Sequence, residues 1–170
     1  MKLILIRHVE TEANIRGIFS GWSNYNITEN GLKQINVLKK IFKNKYADYI
    51  ISSPLYRAYY TALEISKVLN NKIIIDERMK EINFGIFDGK TIEEIKEKYY
   101  NEYMLWMEDY RKYCFPKGEC YTSFFKRIDE FLSKLDKNKR YIIVTHGGVI
   151  NYIMEKYSYI KFDRYTEVEI

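Results

Sequence analysis

Residues 1–14 read MKLILIRHVETEAN, and the fold follows from the first half of that stretch. Leu3, Ile4, Leu5 and Ile6 form an apolar run with no polar alternation, the composition of a strand covered on both faces in a parallel sheet. The run stops at Arg7 and His8, then turns polar through Glu10, Thr11, Glu12 and Asn14. Open α/β sheets bind ligands beyond the carboxyl ends of their strands, so the Arg-His pair falls on the ligand edge. The second of the chain's two histidines, His146, follows another apolar run in YIIVTHGGVI (141–150). Both histidines therefore come at a strand end.

Outward from there, residues 15–27 have loop composition, with Gly17, Gly21, Ser23, Asn24 and Asn26 beside Phe19 and Trp22. Thr28 caps a helix on which Leu32, Ile35, Leu38 and Phe42 recur at helical spacing. A second strand, Tyr49 to Ser52, ends at Ser53-Pro54, and Pro54 opens the first turn of a helix running to about Leu69. Arg57 lies in that turn. A third strand, Lys72 to Ile75, leads into DERMKEINFGIFDGK (76–90), after which Thr91 and Glu94 form a capping box. One or two surface helices are expected between 95 and 118, and Phe124, Ile128, Phe131, Leu132 and Leu135 mark an amphipathic helix. Tyr141 to Thr145 is the fourth strand, with a helix from about Val149 after Gly147-Gly148. Tyr165 to Ile170 alternates like an edge strand with one wet face. Strands separated by helical patterns give an α/β protein, a three-layer α/β/α sandwich around a mostly parallel central sheet with an antiparallel edge strand allowed at the tail.

The length of 170 residues fits a single domain. Hydrophobic residues at 46% and charged residues at 30% are ordinary for a globular protein. A net charge of +5 suits an anionic ligand without requiring one. Cys114 and Cys120 fit neither a disulfide framework nor a metal site and read as reduced thiols of a cytoplasmic protein. Met1 to Ile6 is too short for a signal-peptide core, and no stretch approaches a membrane span. There is no Walker loop, no GxGxxG and no long basic stripe, which argues against nucleic-acid and nucleotide binding.

Polar residues of one character follow the strands: Arg7 and His8, Arg57, His146, and Glu81 beyond the third strand. Two arginine forks match the oxygens of a phosphate and stabilise charge spread over them. A neutral histidine among them can attack phosphorus and carry the group covalently. Glu81 would protonate the leaving oxygen and later take a proton from water. Each residue also has a plainer reading. A lone histidine is more often structural, Asp76 and Glu77 stand close to Glu81 as rival acids, and Asn14 and Ser20 suit turn caps.

These stretches resemble the histidine phosphatase superfamily, the phosphoglycerate mutase-like proteins. RHVETEAN is similar to its RHG signature, SSPLYRAYYTA to its second arginine motif, RMKEINFGIFDG to the acid segment, FPKGECYTSFFKR to a PxGES segment and VTHGGVI to the second-histidine motif. The resemblance implies His8 as the phosphorylated nucleophile, Arg7, Arg57 and His146 as the phosphate pocket, and Glu81 as the proton donor. It implies further substrate contacts at Asn14, Ser20, Gly21 and Gly147, a position for Glu119 near the pocket rim, no metal and no cofactor. Val9 stands in place of the usual Gly, Cys120 in place of Ser, and Asn151 where many members have Arg. The expected activity is hydrolysis of a small phosphorylated metabolite, α-ribazole-5′-phosphate among the candidates, with specificity set by residues 15–27 and a cap-like helical segment around 92–120. Mutase-type phosphoryl transfer and a non-catalytic phosphate- or nucleotide-binding module are the alternatives. A monomer or a homodimer is expected.

Overall fold

The computed structural model describes residues 1–157 together with the backbone of 165–169. Strand β1 (Lys2–Arg7) pairs in parallel with β4 (Arg140–Thr145), and β4 pairs in parallel with β2 (Tyr49–Ser52). The short β3 (Ile73–Ile75) extends the sheet beyond β2, again in parallel. On the far side of β1, β5 (Tyr165–Glu169) runs antiparallel, giving the order β3-β2-β4-β1-β5. The antiparallel edge read from the tail is present. The side chains of that tail lie outside the described residues.

The apolar run of β1 explains the layering. Successive side chains of a strand point to opposite faces. Leu3 and Leu5 join one cluster with Ile51, Tyr141 and Ile143, while Ile4 and Ile6 join another with Ile50, Ile142 and Val144. The four apolar β1 side chains are all buried, so neither face of the strand's middle meets water. Helices α2 (Glu29–Phe42) and α3 (Tyr56–Leu69) cover the Ile4–Ile6 face through Ile35, Leu38, Phe42, Ala58, Ala62 and Ile65. Helices α6 (Tyr121–Leu132) and α7 (Gly147–Tyr157) cover the other through Phe124, Ile128, Phe131, Val149, Ile150 and Ile153. This is the three-layer α/β/α sandwich.

The local signals hold with small shifts of boundary. Thr28 accepts the amide of Gly31, and the Thr91–Glu94 capping box opens α4 (Ile92–Lys98). Helix α5 (Tyr100–Glu108) follows, and the one-turn α1 (Glu12–Ile15) precedes the 15–27 loop. Helix α3 begins at Tyr56 with Leu55 at its cap, so Pro54 lies before the first turn rather than in it. Helix α7 starts at Gly147, ahead of Val149. The cysteines are a correction: Cys114 and Cys120 are joined in a disulfide across a tight hairpin. Spacing alone hid this, because a separation of six residues brings two side chains together only when the chain between them reverses. Here Lys117 at φ +59° and Gly118 make that reversal, and the Gly118 amide donates to the Phe115 carbonyl.

Candidate active site

The carboxyl ends of β1, β2 and β4 deliver His8, Ser53 and His146 to one edge. The His8 and His146 ring centroids lie 5.3 Å apart. The amide of His8 donates to the Thr145 carbonyl, so the two histidine-bearing strand ends are tied by backbone. His8 Nδ1 lies 2.8 Å from the Val9 carbonyl oxygen. A carbonyl can only accept, so Nδ1 carries the proton and Nε2 carries the lone pair. Burial, with help from the charges of Arg57 and Arg7, lowers the His8 pKa to about 3. The ring is neutral at every ordinary working pH.

His146 is fully buried, and burial followed by the charge of Arg57 holds its pKa well below the usual range. Its Nε2 sits 2.7 Å from the Ser53 hydroxyl. That hydroxyl also accepts the Leu55 amide, and when it donates its own proton to Nε2 the neutral ring carries its proton on Nδ1. His146 Nδ1 and Arg57 Nε are buried with no hydrogen-bond partner among the described residues. An unpaired buried donor costs about 1–3 kcal/mol. An oxyanion between the strand ends would satisfy both.

Arg57, only 2% exposed, enters from the first turn of α3. Its Nη1 donates to the Ser23 carbonyl, and its Nη2 to the carbonyls of Ser20 and Gly21. The same loop is held from its other side by Asp88. Asp88 Oδ1 accepts the Gly21 amide, and Oδ2 accepts those of Trp22 and Ser23. Ser20 and Gly21, expected to meet substrate through their backbone, stand in this loop. Their carbonyls hold Arg57, and the Gly21 amide is taken by Asp88. Arg7 is exposed at the end of β1, with its guanidinium lying over Gly147. Asn14 stands at the start of α1, where its side-chain oxygen accepts the Thr11 amide and hydroxyl.

Of the three acids near the third strand, Glu81 is the buried one. Asp76 pairs with Arg78, and Glu77 pairs with Lys80 in the open. Glu81 is 8% exposed; its Oε1 accepts the Ile82 amide and its Oε2 the Gly148 amide. Burial pushes its pKa up against the opposing pull of those two amides and of Arg57 and Arg7. The carboxyl group therefore favours its protonated form more than a free glutamate does. Gly148 is required by closeness: a Cβ there would stand 2.3 Å from Glu81 Oε1. Among the described residues no group of three or more His, Cys, Asp or Glu side chains could hold a metal ion.

The model of the histidine phosphatase superfamily, branch 1, matches residues 3–170. The chain belongs to that superfamily. It is accordingly a phosphomonoester hydrolase. Phosphoserine phosphatase 1 of Hydrogenobacter thermophilus is 37% identical over 149 residues, 86% of this chain and 71% of that protein. The adenosylcobalamin/α-ribazole phosphatase of Salmonella typhimurium is 28% identical over 159 residues, 92% of this chain and 79% of that one. In fold, the α-ribazole phosphatase of Shigella flexneri superposes with a TM-score of 0.90 at 24% identity, covering 100% of this chain and 91% of that one.

Within this histidine phosphatase, four supporting residues went unread in the sequence. Ser53 orients His146, and Asp88 holds the loop that holds Arg57. Thr61 accepts the Val9 amide and donates to the Arg57 carbonyl, joining β1 to α3. Arg127 pairs with Glu119 and donates to the carbonyls of Arg78, Lys80 and Glu81. The FPKGECYTSFFKR segment contained the Glu119–Arg127 pair, but nothing in its spacing pointed back to residues 78–81. Among the described residues, no helix is long and apolar enough to cross a membrane.

Proposed function

We propose that the chain hydrolyses the phosphomonoester of a small metabolite through a phosphohistidine at His8. The observation that carries this reading is the neutral His8 ring with Nδ1 bound to the Val9 carbonyl, which leaves Nε2 as a nucleophile beside two arginines. In the first step the Nε2 lone pair attacks phosphorus and the bond from phosphorus to the ester oxygen breaks. Glu81 gives its proton to the departing alkoxide. In the second step a water molecule loses a proton to Glu81, attacks phosphorus and returns the P–N electron pair to His8. The products are the alcohol and inorganic phosphate. Arg7, Arg57 and His146 Nδ1–H would hold the phosphoryl oxygens as charge shifts among them.

Phosphoserine stands first among substrates to test, because the relative so named is 37% identical against 28% for the α-ribazole phosphatase. The experiment measures phosphate release from p-nitrophenyl phosphate, phosphoserine, α-ribazole-5′-phosphate and 3-phosphoglycerate. His8→Ala is expected to abolish release from all of them. Glu81→Gln is expected to lower kcat/KM on alkyl phosphates roughly 100-fold while p-nitrophenyl phosphate, whose leaving group needs no proton, loses far less. Phosphate migration on 3-phosphoglycerate with little release would replace the hydrolase reading with a mutase.

A further inference from the structure

We propose that Arg127, locked by Glu119, is the positioning residue for Glu81, setting where the proton donor stands without touching substrate. This rests on the role of Glu81 given above. Residues 77–83 lie beyond the end of β3, and among the described residues no strand pairs with them. The carbonyls of Arg78, Lys80 and Glu81 therefore need donors from elsewhere. Arg127 supplies all three from the middle of α6. Its Nη1 reaches the Arg78 and Lys80 carbonyls, the latter at 2.8 Å, and its Nη2 reaches the Glu81 carbonyl at 3.0 Å. The remaining donors form a fork on Glu119, Nε to Oε1 at 2.8 Å and Nη2 to Oε2 at 3.1 Å.

A guanidinium has five N–H donors in a rigid plane, and all five are used here. A lysine offers a point charge on a flexible stem and cannot reproduce that plane. Glu119 adds to the grip. Its amide donates to the Asn83 carbonyl at 2.9 Å, and its Oε2 accepts the Asn83 amide at 3.3 Å. The Arg127 guanidinium also lies over Phe124, 4.7 Å from the ring centroid, which holds the charged group against α6. The Glu81 carbonyl takes a further bond from Trp22 Nε1. The catalytic carboxyl is thus one residue's side chain away from a backbone bound at 78, 80, 81 and 83. Groups that transfer protons must be held to within about 0.5 Å of the productive geometry, and this lattice supplies that hold.

The experiment compares kcat/KM for p-nitrophenyl phosphate and phosphoserine in wild type, Arg127→Met, Glu119→Gln and Glu81→Gln, and in the Arg127→Met/Glu81→Gln double variant. The expected result is a loss of roughly 10- to 100-fold on phosphoserine for Arg127→Met, with a loss of about threefold or less on p-nitrophenyl phosphate. Glu119→Gln should follow in the same direction at smaller size. In the double variant, Arg127→Met should cost almost nothing beyond Glu81→Gln, because the two act through one group. Should Arg127→Met fail to fold by circular dichroism, Arg127→Lys takes its place, with the same selectivity expected. Equal slowing of both substrates, or losses that multiply in the double variant, would overturn the clamp alone. A Glu81→Gln variant with no selectivity between leaving groups would overturn the acid assignment and the clamp with it.

Discussion

Val9 is the residue where the chain departs from the glycine of the RHG signature, and its surroundings show why it is tolerated. Among the described residues the non-glycine positions with positive φ are Asn70 and Lys117, so Val9 needs no glycine geometry. Its side chain is 2% exposed and packs with Ile4, Ile6 and Ile35. The contacts it makes for chemistry are backbone ones, the carbonyl to His8 and the amide to Thr61. Val9→Gly should therefore destabilise the fold by about 2–3 kcal/mol, from lost burial and added chain entropy, while changing kcat/KM by no more than about threefold. Urea unfolding and steady-state kinetics on the same preparation check both halves. The contrast with Asp88 and Ser53 shows what the sequence makes legible. Arg7 ends β1, His8 and His146 stand directly after strands, and Arg57 follows β2 in the first turn of α3, so an apolar run points to each. Asp88 and Ser53 act on groups 67 and 93 residues away, and no local pattern marks such a partnership.

Among elements, the loop at 20–23 has no regular secondary structure and is held from two sides. One side gives its amides to Asp88 and the other gives its carbonyls to Arg57. Asp88→Ala would leave three amides without their acceptor and free the loop to shift, taking the arginine's orientation with it. KM for p-nitrophenyl phosphate should rise roughly 10-fold, with kcat changing less. Asp88→Asn, which keeps an acceptor, should recover part of the loss. Unchanged KM in both variants would mean that Arg57 keeps its place without the loop. The capping signals at Thr28 and Thr91 were readable because both partners lie within one turn. The loop was readable only as loop, since its order comes from a carboxylate and a guanidinium on other segments. The same holds for the Cys114–Cys120 hairpin, whose closure depends on Lys117 adopting a left-handed backbone.

For the whole molecule, the site's electrostatics predict acid sensitivity. His8 has a folded pKa of about 3 against 6.5 when exposed, and His146 is lowered in the same sense. Below pH 6.5 the unfolded chain therefore binds more protons than the folded one. Stability contributed by the neutral rings is present above 6.5 and drains away as pH falls toward 3. Glu81 has the opposite sign: its raised pKa contributes stability at low pH that is lost as pH rises through the folded value. Two histidines outweigh one glutamate, so the urea midpoint should drop between pH 7 and pH 5. In His8→Asn that drop should be shallower. An equal slope in wild type and variant would place the folded His8 pKa near that of a free histidine.

The place of β1 between β4 and β5 has a consequence for how the protein is made. Among the described elements the strand that leads to His8 is synthesised first, yet both its neighbours come from residues 140–169. Until those emerge from the ribosome, Leu3 to Ile6 has no sheet to join, and pairings across nearly the whole chain close slowly. Among the described elements, the segment leading to His8 thus waits longest for its sheet partners during biosynthesis. Recovered phosphatase activity on refolding would report the pairing of β1 with β4, which brings His8 beside His146.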